Sequence, residues 1–190
     1  MSKPIEFESF MLTLKKISDL HAPATDEHES RVRVMSVAIG SRLGMTRDEL
    51  EILEWAADVH DWGKIFLNGI IGLATKYNQA QRIYVQQHTI RGFESLEHAT
   101  IPDEIKLVIL HHHEHYDGSG YPHGLKGDAI PIMARIVAVA DVWDALISDR
   151  PYRMAYTFQK AMREMSKYSD WFDPALFDIW LELVKRHDNQ

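Results

Sequence analysis

The chain of 190 residues contains no cysteine. That absence excludes a disulfide scaffold, a thiolate zinc ribbon, a thiol nucleophile and a cysteine-held iron–sulfur cluster. Long hydrophobic runs are missing too, since every apolar stretch falls far short of the roughly 18–20 residues of a membrane span. Residues 1–10 carry Glu6 and Glu8 and lack the basic-then-apolar pattern of a signal peptide. Nor is there an excess of positive charge: 21 Lys+Arg face 28 Asp+Glu, a net charge of −7. Proteins that coat nucleic-acid polymers are usually strongly basic, so that partner class is not expected. With 45% hydrophobic residues the chain can bury a sizeable core, and its length suits one domain. The expectation is a soluble cytoplasmic protein with no membrane partner. One residue type is plentiful instead: 11 histidines.

The apolar periodicity is helical nearly throughout, and the fold class it predicts is all-α, a single compact helical bundle. Phe7, Phe10, Met11, Leu14 and Ile17 make a one-sided stripe over residues 5–20. A second helix is expected over 26–43 with Gly44 at its C-cap. Thr46 and Glu49 have capping-box spacing and open a helix through about residue 61. Asn78 caps a helix to about residue 98, and Pro102 starts one running towards 115. Further helices are expected over 131–148, 157–167 and 174–187. The organisation read from this is an N-terminal helix, residues 1–24, packing on a domain of residues 25–190.

Most histidines fall at helix ends or beside acids. His60-Asp61 closes a predicted helix and precedes Gly63-Lys64. His111-His112-His113-Glu114 stands before a turn-dense loop, Asp117 to Gly124, with three glycines. Asp141 sits in an otherwise apolar helix, where a lone carboxylate is expensive unless paired or metal-bound, and Asp144 follows one turn on. His28 and His88 lie on two further helices. Each unit alone has a plainer reading, as a helix end favoured by the dipole or a solvated polar face. Together they supply five imidazoles and two carboxylates, a donor set for divalent transition metals held between helices of a bundle.

The order His28, His60-Asp61-x-Gly-Lys64, His88, His112-His113-Glu114-x-x-Asp117-Gly-x-Gly-Tyr121-Pro122, Asp141 and Asp149-Arg150-Pro151-Tyr152-Arg153 resembles the HD-GYP domain family. This is a subgroup of the HD phosphohydrolases that degrades cyclic di-GMP. The resemblance implies a binuclear centre, one metal on His28, His60, Asp61 and Asp141, the other on His88, His112 and His113, with Asp61 bridging. It implies Fe or Mn, while ligand type alone also admits Zn, Ni and Co. The implied reaction is hydrolysis of cyclic di-GMP to linear pGpG and onward to GMP, with a bridging hydroxide as nucleophile.

Asp61 and Lys64 would then be catalytic, and Lys64, Arg150 and Arg153 would bind the substrate phosphates. Glu114 would stand behind a ligating imidazole, and Asp144 would orient Lys64 or an arginine. Gly120, Tyr121 and Pro122 would shape a loop for partner contacts rather than the metal site. A homodimer or a regulatory protein is the expected macromolecular partner.

Alternatives are another cyclic dinucleotide such as cyclic GMP-AMP on the same ligands, a one-metal nucleotide phosphohydrolase using His28, His60, Asp61 and Asp141, and a degenerate interaction domain. Some departures from the family pattern stand out. Ala24 occupies the place where some members carry a glutamate for a third metal, which favours two metals here. Trp62 replaces a small aliphatic residue, and residues 68–77 depart from the usual loop. His21, His98, His111, His115, His123 and His187 receive no role.

Overall fold

The computed structural model describes residues 5–21, 26–67, 77–150 and 153–187. Ala24, most of the divergent loop (68–76) and Pro151-Tyr152 lie outside them. The all-α expectation holds. Eight α-helices are present among the described residues: α1 (Ile5–His21), α2 (Asp26–Leu43), α3 (Arg47–Asp58), α4 (Gln79–Ser95), α5 (Asp103–His111), α6 (Ile132–Ile147), α7 (Phe158–Lys167) and α8 (Pro174–His187). The only β pairing among these residues is an isolated antiparallel bridge between Arg150 and Arg153.

Local chemistry sets the helix ends. Gly44, at φ +86°, ends α2 in the left-handed region, and Met45 N–H reaches back to the Gly40 carbonyl at 3.0 Å. Thr46 and Glu49 form the expected capping box on α3, as Asn78 and Gln81 do on α4. Pro102 and Pro131 immediately precede α5 and α6.

The centre of the bundle is α6, whose Ala134, Ile136, Val137, Val139 and Ala140 have no exposed surface. A helix apolar on so many sides has to be enclosed, and α6 packs against α2, α5, α7 and α8. Trp143 on α6 meets Trp180 on α8 edge to face at 5.1 Å. At the other side α1 inserts Phe7, Met11 and Leu14 into the same core. Lys15 on α1 lies 3.3 Å from buried Glu29 on α2 and 3.9 Å from Asp58 on α3, bringing polar groups of three helices together.

Three predicted helices stop early. The third ends at Asp58 rather than near 61, so His60-Asp61 occupies a turn before a short 3-10 segment, Trp62–Phe66. Gly63 gives the reason: a Cβ there would overlap the backbone carbonyl oxygen of His88 and stand 2.8 Å from the Gly92 nitrogen. The chain leaves α3 to lie directly on the α4 backbone, which only glycine permits. Helix α4 ends at Ser95, whose hydroxyl accepts from Trp62 Nε1 at 2.9 Å, so the unusual Trp62 anchors this contact. Helix α5 ends at His111 instead of continuing towards 115, which leaves His112 as its C-cap.

Because Met11 is fully enclosed, Met11→Ala is expected to cost about 2–5 kcal/mol. A urea titration reads this directly. An unchanged midpoint would make α1 an appendage outside the cooperative core.

Candidate metal centre

Ligand atoms of Asp61, His88, His112 and His113 lie within 4.8 Å of one another, and those of His28, His60 and Asp141 form a second group by the same measure. Asp61 stands between the two. Its Oδ1 is 3.4 Å from His88 Nε2 and 3.7 Å from His112 Nε2, whereas its Oδ2 is 3.5 Å from His60 Nε2. His28 Nε2 faces Asp141 Oδ1 at 3.3 Å. Five elements supply the set: α2, the turn after α3, α4, the end of α5 and α6. Neighbouring side chains on a helix diverge by about 100°, but at the C-terminal end of α5 His112 and His113 both reach the centre.

Hydrogen bonds behind the rings orient the imidazoles. His60 Nδ1 lies 2.8 Å from the Ala57 carbonyl, His88 Nδ1 2.7 Å from that of Val85, and His112 Nδ1 3.0 Å from that of Val108. A carbonyl only accepts, so each Nδ1 carries the proton and each Nε2 presents a lone pair inward. His28 Nδ1 is held instead by the Asp144 carboxylate at 2.6 Å, and Arg31 donates to the same carboxylate from its Nε. Asp144 thus braces a histidine and pairs with Arg31, and among its bonds none goes to Lys64. Carboxylate–histidine pairs of this kind fix ring orientation behind a metal.

The arrangement fits a cation. His88 Nε2 and His112 Nε2 point lone pairs at each other across 3.3 Å. His60 Nε2 and Asp61 Oδ1 are buried without a hydrogen-bond partner. Such groups are costly to bury unless an ion lies among them.

Electrostatics agree. Burial would raise the Asp61 carboxyl, but the Lys64 ammonium beside it outweighs desolvation and holds it well below the usual range. Lys64 Nζ rests on Asp61 Oδ2, and that contact overcomes desolvation to raise its own pKa. Burial would also raise Asp141, yet His28 and His60 bring it below its ordinary value.

Several expectations need correction. Glu114 backs none of the seven donors. Its oxygens accept the backbone N–H groups of His123 at 2.7 Å and Leu125 at 3.0 Å, and so brace the glycine-rich loop. Tyr121 is not confined to loop shape. Its ring lies 4.8 Å from that of His113, and burial together with Asp61 and Asp141 pushes its phenol far above the ordinary range. Gly120 permits this approach, because a Cβ there would strike the backbone of His113 and His115. Pro122 follows across a cis peptide bond.

The two arginines part company. Arg153 donates to the Leu146 and Met154 carbonyls at 3.3 and 2.8 Å and also to that of Ala145, and stacks on Tyr156. It is spent on closing the end of α6. Arg150 is near enough to Lys64 to oppose its charge. Sequence reasoning missed Arg31, although its place three residues after His28, on the same helix face, was the available signal.

The chain matches the HD domain family over residues 13–176 and belongs to it. It is 40% identical over 147 residues to the cyclic di-GMP phosphodiesterase response regulator RpfG of Xanthomonas campestris, covering 75% of this chain and 39% of that protein. A cyclic di-GMP phosphodiesterase of Thermotoga maritima is 35% identical, with 95% and 51% covered. The 3′3′-cGAMP-specific phosphodiesterase 3 of Vibrio cholerae is 34% identical, with 84% and 35% covered. The chain therefore spans about half, or less, of the length of these curated relatives. Among solved structures, a cyclic GMP-AMP-specific phosphodiesterase of V. cholerae superposes with a TM-score of 0.70 at 22% identity, covering 94% of this chain and 49% of that one. That likeness establishes a shared fold.

Two outcomes follow from the geometry. Asp144→Asn leaves a weaker brace on His28 and is expected to lower metal affinity about 10–100-fold, measured by chelator competition. The second concerns pH. Burial pushes His60 down to about 4 and lowers His88 and His113, so these rings take up protons less readily in the folded, metal-free chain than in the unfolded one. Unfolded, they take up protons below roughly 6.5. The unfolded state then binds more protons as the pH falls, and stability falls with it. Glu29 and Asp58 act the other way, since burial raises both carboxyls, Glu29 to about 8, but burial also lowers His111 and His115, so two carboxyls stand against five imidazoles. The chelator-treated chain should show a lower urea midpoint at pH 5 than at pH 7.

Proposed function

We propose that this chain is a metal-dependent phosphodiesterase domain acting on cyclic di-GMP, with residues 25–190 as its catalytic part and the N-terminal helix packed on it. The observation that carries the reading is the placement of Asp61, one oxygen towards each cluster of imidazoles. In this reading His28, His60 and Asp141 hold one divalent ion, His88, His112 and His113 hold a second, and Asp61 serves both. Iron or manganese is the proposed metal. Two such ions lower the pKa of a water and polarise phosphoryl oxygens.

The chain's own groups do the rest. Arg150 offers a guanidinium fork to a substrate phosphate beside the metal clusters. Lys64, cationic on Asp61, neutralises charge that builds on the phosphoryl oxygens. Tyr121 keeps its proton and remains a hydrogen-bond donor at the rim. Water adds across one P–O3′ bond, leaving a 5′-phosphate and a free 3′-hydroxyl in linear pGpG. A second round on the remaining linkage gives GMP. Arg153 is the weaker candidate for phosphate binding, because three of its five N–H groups already serve carbonyls of Ala145, Leu146 and Met154.

A cyclic GMP-AMP substrate is the second reading, supported by the V. cholerae relative that is named for that activity. A one-metal phosphohydrolase would leave His88, His112 and His113 idle, and a degenerate domain would not be expected to keep all seven donors. The proposed partner of the whole protein is a second copy or a regulatory protein.

Purified chain loaded anaerobically with Fe or Mn is expected to linearise cyclic di-GMP faster than cyclic GMP-AMP or cyclic di-AMP. His60→Ala should lose at least about 100-fold in kcat/KM, and Arg150→Ala should lose more than Arg153→Ala at equal stability. Preferred turnover of cyclic GMP-AMP would replace the first reading by the second.

A further inference from the structure

Outside the seven donors, the glycine-rich loop brings a third group together. Ligand atoms of His111, Glu114 and His123 lie within 4.8 Å of one another. His111 is the last residue of α5 and is 7% exposed, and its Nδ1 is buried with no hydrogen-bond partner. Glu114 is 2% exposed and held rigidly by the His123 and Leu125 amides. His123 closes the group from the solvent side, its ring 5.4 Å from that of His111.

Two features point to an ion. His111 Nδ1 and Glu114 Oε1 are 3.7 Å apart, too far for a hydrogen bond. That gap is close to the roughly 3.4 Å separating two ligands on one tetrahedral ion with bonds of about 2.0–2.1 Å. Secondly, Glu114 is a buried carboxylate whose ion-pair partner among the described residues is an imidazole, not a lysine or arginine. A divalent cation supplies the missing charge, and each carboxylate oxygen keeps a lone pair after accepting one amide.

We infer that His111, Glu114 and His123 form an accessory site for a borderline divalent ion such as zinc, separate from the proposed catalytic centre. Two imidazoles and one carboxylate suit zinc and leave a coordination position open to water. Occupancy ties His123 to the end of α5. It thereby clamps the loop that carries Tyr121 against His113.

The test is equilibrium dialysis of the full chain against Zn²⁺ with metal quantification, alongside histidine ring ¹⁵N spectra during the titration. His123→Ala, at an exposed position, is expected to bind one zinc fewer per chain than wild type. In wild type the His111 and His123 ring nitrogens shift together, and Mg²⁺, which prefers oxygen ligands, leaves them unmoved. Equal zinc counts in wild type and His123→Ala overturn the site, and so do His111 and His123 resonances that stay in place under saturating zinc.

Discussion

Asp61 places an ionised carboxylate inside a helical core, where desolvation alone would drive it to the neutral form. Lys64, three residues on, supplies the countercharge, and three imidazoles converge on its two oxygens. The surrounding architecture follows from meeting that requirement. The third helix has to stop at Asp58 so that His60 and Asp61 turn inward together. Gly63 must then lie flat on the α4 backbone, because that contact brings His88 within 3.4 Å of Asp61. The end of α5 brings two histidines to the same point, and α6 carries Asp141 to the other cluster.

The same residues crowd polar atoms together inside the core. Opposed lone pairs on His88 and His112, and orphaned atoms on His60 and Asp61, sacrifice stability that an apolar core would have kept. Functional sites are where local rules of packing and polar satisfaction are most often broken. The cost is carried by a well-enclosed α6 and by the aromatic cluster of Trp143, Phe177 and Trp180.

Much of this was legible in the sequence because it is local. The α2 boundaries, Gly44, the α3 capping box and Asn78 as the cap of α4 depend on neighbours within a few residues. The seven donors were legible as a set through the family resemblance, since no single His-Asp pair separates a ligand from an ordinary helix end. What failed was long-range. The early end of α3 depends on a backbone contact with α4, and nothing between residues 46 and 61 announces it. Glu114, Arg153 and Tyr121 have partners that their expected roles did not include, for a related reason. A side chain's type tells what it can bond, but its partner is chosen by how loops return to the core.

The braces behind the imidazoles divide in an instructive way. His60, His88 and His112 each lean on a carbonyl three or four residues earlier in their own segment, whereas His28 relies on Asp144, 116 residues away. Three of the rings therefore carry their orientation as a property of one helical turn and could be transplanted with that turn into an unrelated bundle. The fourth could not be moved without its distant carboxylate. For anyone building an artificial histidine-rich scaffold, the part borrowed from those three turns is modular and the His28 part has to be designed as a pair of helices.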